Sequence, residues 1–170
     1  MSVGDSALGA YQREIAYVFR TLRWLGVRTS EIEDLAQEVF LALQRCWSRY
    51  DRMRPLRPFL FGVAFRVAAS HQRKRQREVP LRELELRDLA PDPSEELQAK
   101  WMRALVLRAL EEVPLRRRAV FVMHELDEVP MGELAPALGI PLFTAYSRLY
   151  KARQEFEAAV RRLAKEADDR

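Results

Sequence analysis

Between Thr144 and Arg153, seven side chains share one side of a short stretch: Thr144, Tyr146, Ser147, Arg148, Tyr150, Lys151 and Arg153. Hydroxyl, ammonium and guanidinium groups at helical spacing are donors and acceptors for base edges and phosphates. The residues before them supply the scaffold. Leu134, Ala135 and Leu138 give a first short helix an apolar side, and Gly139 stops it by taking the left-handed conformation without steric cost. Ile140 follows as an apolar plug, and Pro141 opens a second helix, where its missing N–H costs nothing. That helix turns Ala145, Leu149, Ala152 and Phe156 inward. The layout is that of a helix-turn-helix presenting its second helix to the major groove. A helical hairpin with a Gly turn and a solvated basic face has the same pattern, so the rest of the chain must decide.

Other chemistries find little support. No paired carboxylates and no nucleophile with a neighbouring base stand out, so an enzyme is not expected. His71 and His124 lack ligand spacing, and the single Cys46 lies among apolar residues, which suits a reduced core thiol. No cofactor or metal is expected. No apolar run is long enough to span a membrane and no signal peptide is visible, which predicts a cytoplasmic protein without membrane insertion.

Two further groups of cations precede the helix-turn-helix. Arg73, Lys74, Arg75 and Arg77 crowd the C-terminal half of a helix predicted over 59–78, FLFGVAFRVAASHQRKRQRE. Basic residues there complement the helix dipole, but four in five positions exceed what a cap requires, and phosphate contact explains them better. The stretch 48–58, SRYDRMRPLRP, is interrupted by Pro55 and Pro58. Its cations with Tyr50 and Met53 suit unpaired nucleic acid, or an ordinary surface loop.

The remaining elements are helical in pattern. Residues 8–25 place Leu8, Ile15, Phe19 and Leu22 on one side, with Gly26 ending the helix. Ser30 and Glu33 form a capping-box pattern before a helix over 31–48, whose inward stripe is Ile32, Leu35, Ala36, Val39, Phe40, Leu43 and Trp47. Its other side is polar and reads as solvated. Asp92, Pro93 and Glu95 give a strong start for a helix running to Val113 with Leu97, Trp101, Leu105 and Leu110 inward. Pro114 opens the next, with Val120, Phe121 and Met123 apolar. Gly is scarce and β-branched residues rarely alternate, so the fold class is all-α. Two small helical domains are expected, 1–78 and 93–170, the second containing the helix-turn-helix. The 79–92 linker is acidic at Glu83, Glu85, Asp88 and Asp92 against Arg82 and Arg87.

Taken in order, these segments resemble bacterial sigma factors of the extracytoplasmic-function group, which keep only the second and fourth conserved regions. EIEDLAQEVFLALQRCW resembles their polymerase-binding helix, FLFGVAFRVAASHQRKRQRE their −10 helix, and the stretch from Leu110 to Arg153 their −35-reading region. The resemblance covers residues 10–165 and implies a promoter-specificity subunit. Its implied partners are core RNA polymerase, through the β and β′ subunits, promoter DNA and an anti-sigma factor. It implies that Asp34, Gln37, Glu38 and Phe40 dock on the clamp helices of the polymerase's large subunit. Tyr50, Arg52, Met53 and Arg54 would belong to the loop that captures a flipped base. Arg66, Arg73, Lys74 and Arg75 would lie near −10 phosphates. Tyr146, Ser147, Tyr150 and Lys151 would face −35 bases, while Thr144, Arg148 and Arg153 hold phosphates. The acidic linker would thread toward the RNA exit path. Three residues depart from the pattern. Pro136 lies inside the first helix of the motif, Pro130 stands where a capping Ser is common, and Phe143 is bulky where a small or polar residue is usual. Two rival readings are a stand-alone helix-turn-helix regulator and a sigma-like adaptor that binds protein only.

Overall fold

The computed structural model describes residues 6–78 and 97–168. The acidic linker and the Asp92–Glu95 helix start lie outside the described residues. Seven α-helices account for most of what is described: α1 Ala7–Trp24, α2 Ile32–Cys46, α3 Leu56–Glu78, α4 Leu97–Glu112, α5 Leu115–Phe121, α6 Met131–Leu138 and α7 Leu142–Asp168. There is no strand among the described residues. The first three helices pack on one another, as do α4 to α7.

The helix α1 is capped by Ser6, whose hydroxyl accepts the Gly9 N–H at 3.1 Å. It kinks at Glu14, where φ is −110° and ψ is 15°. The inward side is continuous through the kink: Ala7, Ala10, Tyr11, Tyr17, Val18 and Leu22 are buried at helical spacing, and Leu8 and Ile15 beside that stripe are exposed. The expected stripe through Leu8 and Ile15 is therefore corrected. In α2 the stripe is as the sequence predicts, with Ile32, Leu35, Ala36, Val39 and Leu43 buried and Phe40 and Trp47 packed at its border. The Ser30–Glu33 capping box does not form; a 3₁₀ turn over Thr29–Glu31 leads into α2 without a side-chain cap. The helix α3 starts before Pro58, which lies in its first turn, where a proline costs no hydrogen bond. Its Leu60, Phe61, Val63, Ala64 and Ala68 are buried. The helix packs on α1, α2 and α6, so buried residues occur on more than one of its sides.

In the second half, α4 packs along α7 through Leu105, Ala109, Ala159 and Leu163, and Arg162 of α7 bonds Glu112 of α4. Trp101 is exposed rather than inward. Helix α5 continues into a π-helical turn over Val122–Leu126, and Phe121 stacks on Phe156 with ring centroids 4.7 Å apart. Pro130 caps α6 through its carbonyl, which accepts the Glu133 and Leu134 N–H groups at 2.9 and 3.0 Å. Pro136 removes one bond from α6, yet the helix runs on to Leu138, and Gly132, the would-be acceptor, is exposed. Gly139 closes the helix at φ 66°, with Ile140 N–H bonding Ala135 C=O at 3.0 Å.

The two halves form one body. A single apolar cluster runs from Leu22, Leu43 and Phe61 through Leu110, Val120 and Leu134. Arg118, 6% exposed, donates to the carbonyls of Glu111, Leu25 and Val113 at 2.8, 3.0 and 3.1 Å. Leu25 belongs to the first half, so this one buried cation ties both halves together. Gly26 takes φ 91° beside it, and an added Cβ would collide with the Arg118 guanidinium.

Candidate nucleic-acid and polymerase-binding faces

The helix-turn-helix positions its groups as the sequence implies. Ala145, Leu149 and Ala152 are buried, which fixes the rotation of α7 and turns Tyr146, Ser147, Tyr150 and Lys151 to solvent. Thr144 and Arg148 are half-buried at the edge. Arg153 is held by Glu125, Nε to Oε1 at 2.7 Å, so its charge is already partnered. The Tyr150 hydroxyl accepts from Gln154 at 3.0 Å. Phe143 is 83% exposed at the start of the helix and has no packing role there.

Arg148 has company the sequence reading did not assign. Partial desolvation, then the charges of Arg116 and Arg117, hold its guanidinium below the ordinary arginine value. Arg117 forms a two-point bridge to Glu155 at 2.6 and 2.8 Å. A cleft of about 420 Å³ gathers Arg73 of α3 with Arg116, Arg148 and Lys151. Such crowding of like charge favours an anion between them. The signal was present as the run Arg116–Arg118, but the run splits, with Arg118 buried and the other two flanking the reading face.

On α3, Arg66, Arg73 and Lys74 are exposed, and Arg75 is half-buried 3.8 Å from Glu31. Arg66 and Lys74 border a groove of about 720 Å³ between α2 and α3, joined by Arg45 and Arg49. The sequence reading assigned neither of the latter two. In the loop before α3, the Tyr50 ring lies between Trp47 and Phe59, each centroid 5.1 Å away, and its hydroxyl donates to Arg54 C=O at 2.8 Å. Asp51 turns the loop by accepting the Met53 N–H at 3.0 Å and pairs with Arg54 at 3.7 Å. Met53 projects almost fully into solvent, 93% exposed, with Arg52 exposed beside it.

The outer side of α2 carries Asp34, Gln37 and Glu38, all exposed. Phe40 does not share that side; it is half-buried with its ring 5.1 Å from that of Tyr11. Leu41 does share it, exposed among the polar groups. An apolar residue on an otherwise polar stripe was the sequence signal for it. No cluster of metal ligands occurs among the described residues, and none of their helices is long and apolar enough to cross a membrane.

One chain thus combines a basic helical unit, a helix-turn-helix with a donor-rich reading face and a separate acidic and apolar face, which defines a class of helical DNA-binding proteins with a protein-docking surface. Family comparison narrows the class. The family model for Sigma-70 region 2 matches residues 10–78, and that for Sigma-70, region 4 matches residues 103–156. The chain belongs to the sigma-70 family, in its extracytoplasmic-function group, and is a promoter-specificity subunit of RNA polymerase rather than an enzyme. It is 25% identical over 153 residues to the RNA polymerase sigma factor NccH of Alcaligenes xylosoxydans xylosoxydans, covering 86% of this chain and 82% of that one. It is 22% identical over 149 residues to the ECF RNA polymerase sigma-E factor of Escherichia coli (strain K12), covering 81% and 78%. Among solved structures, the sigma factor RpoE in complex with the anti-sigma factor NepR from Bartonella quintana superposes with a TM-score of 0.68 at 19% identity, over 89% of this chain and 96% of that chain. CnrH in complex with the cytosolic domain of CnrY gives 0.61 at 20% identity, over 87% and 82%.

Proposed function

We propose how this sigma subunit divides its work among residues. The unit 1–78 docks on core polymerase through Asp34, Gln37, Glu38 and Leu41 of α2. Phe40 supports that face from its border against Tyr11. The same unit grips the −10 element: Arg66, Arg73, Lys74 and Arg75, with Arg45 and Arg49, neutralise phosphates, and the 50–54 loop receives an extruded base. The unit 93–170 reads the −35 element with Tyr146, Ser147, Tyr150 and Lys151. Phosphates set its register through Thr144, Arg148 and Arg153, with Arg116 as a further cation. The residues between the two units serve as the tether. Each unit alone binds DNA weakly, and holding both on one polymerase raises their effective concentration at the promoter.

The observation that carries this reading is the rotation of α2 and α7. Each buries its apolar stripe against its own unit and leaves the proposed contact residues in solvent. The solved neighbour RpoE, crystallised with an anti-sigma factor, and CnrH, in complex with the cytosolic domain of CnrY, support a comparable protein partner here. The absence of a membrane-length apolar helix among the described residues fits work in the cytoplasm, where polymerase and promoter are.

The test is the double variant Asp34→Lys, Glu38→Lys. Reversing two exposed charges at a docking face should weaken polymerase affinity at least about tenfold, mostly through slower association, while leaving the helical spectrum unchanged. Unaltered affinity in a folded variant would remove α2 from the interface.

A further inference from the structure

Gly62, Arg66, Ala69 and Arg73 recur every three or four positions and share one side of α3. That side meets α6, where an added Cβ at Gly62 would collide with the Ala137 carbonyl oxygen. Arg66 Nη1 donates to the same oxygen at 3.4 Å. Nearby, the Tyr17 hydroxyl and Arg20 of α1 donate to the Asp127 carboxylate at 2.8 and 3.0 Å. Ala69 and Arg73, about one and two turns beyond Arg66, form one wall of the cleft of about 420 Å³ whose other wall is α5 and α7.

Five cations line this cleft, Arg73, Arg116, Arg117, Arg148 and Lys151, and no carboxylate among the described residues does. Glu155 answers Arg117 through the bridge at 2.6 and 2.8 Å. Among the described residues no carboxylate pairs with the other four. A promoter does not account for the set. Elements named −10 and −35 are about 25 base pairs apart, or about 85 Å of B-form DNA, so Arg73 on one and Arg148 on the other cannot meet in one cleft there. The ligand of the cleft must be smaller. Unpaired nucleic acid fits poorly, because no aromatic side chain lines the cleft to stack a base. Guanidinium groups suit phosphate, whose oxygens accept two parallel bonds from each fork. A single phosphate carries about −1.5 to −2 charge and leaves at least half of the four cations unanswered. Two or three linked phosphates answer them.

We propose that this cleft binds an oligophosphate, two or three linked phosphates that are free or form the tail of a nucleotide, held by Arg73, Arg116, Arg148 and Lys151 with the Ser147 hydroxyl donating. The ligand occupies groups that read the −35 element, so it and the promoter exclude each other. That consequence rests on the sigma reading above; the site itself does not.

The experiment is calorimetric titration of the full chain, without magnesium and at about 0.15 M salt, with tripolyphosphate, orthophosphate and ATP. One tripolyphosphate should bind per chain, at least about tenfold more tightly than orthophosphate. It should also raise the melting temperature, since it binds the folded chain. ATP should match tripolyphosphate, because the cleft reads phosphates and no base. Arg73→Gln on one wall and Arg116→Gln on the other should each weaken tripolyphosphate at least about fivefold. Arg161→Gln, which removes an equal charge elsewhere on α7, should not. Orthophosphate binding as tightly as tripolyphosphate, full affinity in Arg73→Gln, or an equal loss in Arg161→Gln would overturn the site. ATP binding at least about tenfold more tightly than tripolyphosphate would overturn recognition by phosphates alone. These titrations contain neither polymerase nor promoter, so their failure removes the site and leaves the sigma reading standing, whereas a chain that binds tripolyphosphate but never directs polymerase to a promoter would do the reverse.

Discussion

Replacing Arg118 with methionine tests how the two halves are joined. The guanidinium is buried and bonded to three carbonyls, Glu111 in the last turn of α4, Val113 in the α4–α5 turn and Leu25 across the interface. A hydrogen bond to a charged group contributes about 1.5–3 kcal/mol net. Desolvating the cation costs several kcal/mol and offsets much of the total. Methionine retains the apolar stem and needs no such desolvation, but it orphans the carbonyls of the buried residues Leu25 and Val113, while that of the exposed Glu111 can rehydrate. At about 1–2 kcal/mol for each orphaned acceptor, the loss is about 2–4 kcal/mol. For a chain of this size that corresponds to a Tm lower by about 6–12 °C. Urea unfolding of Arg118→Met beside Arg116→Met, which alters an exposed arginine of the same run, isolates the effect. A loss below about 1 kcal/mol, or one equal to that of Arg116→Met, would refute the view that Arg118 is a buried tie. Gly26→Ala, which drives a methyl group into the same guanidinium, should cost less in the Arg118→Met background than in the wild type.

Two further outcomes are expected. Phe143, exposed at the start of the recognition helix, is placed to meet a thymine methyl group; exchanging thymine for uracil in the −35 element should weaken the polymerase–sigma complex about fourfold at the contacted base, and not at all for Phe143→Ala. Equal sensitivity in both proteins would exclude that contact. Burial first, and then Asp127, holds the Tyr17 phenol well above its ordinary value, against the opposing influence of Thr21 and Arg20. Arg57 also lies over the Tyr17 ring, 5.2 Å from its centroid. The raised value gives stability that is full below about pH 10, where the unfolded tyrosine is neutral, and lost as pH rises past it, because the unfolded chain ionises first. Wild-type stability should therefore fall more steeply than that of Tyr17→Phe between about pH 10 and 11.5, and parallel curves would contradict the buried Tyr17–Asp127 bond.

The helix-turn-helix was legible because local rules fix it: Gly139 must turn, Pro141 must begin a helix, and Ala145, Leu149 and Ala152 leave only one inward side for α7. The stripe of α2 was legible for the same reason. The register of α1 was not, because large apolar side chains, Leu8 and Ile15, stand beside the stripe of Ala7, Ala10, Tyr11, Val18 and Leu22 that the fold buries. What the sequence hid most fully was the joining of the halves. Arg118 looks like its neighbours Arg116 and Arg117, and one of the three carbonyls that satisfy it in its buried place lies 93 residues away. Gly62 looks like a weak point in α3 until α6 is brought against it. Tyr17 and Asp127 are 110 residues apart, beyond the reach of any periodicity. Leu41 and the pair Arg45 and Arg49 could have been found, the first as an apolar residue on a polar stripe and the others as cations one turn apart. For Phe40 the helical spacing already placed it nearer the core than the outer face.

The central claim is that this chain directs polymerase to promoters and does so only as its subunit. The most direct measurement is strand-opening footprinting on a pool of upstream fragments, with the purified chain alone, core polymerase alone, and both together. The account predicts sequence-selective melting with both components and none with either alone. Selective, tight binding by the chain without polymerase, or a polymerase complex that opens no fragment, would contradict it.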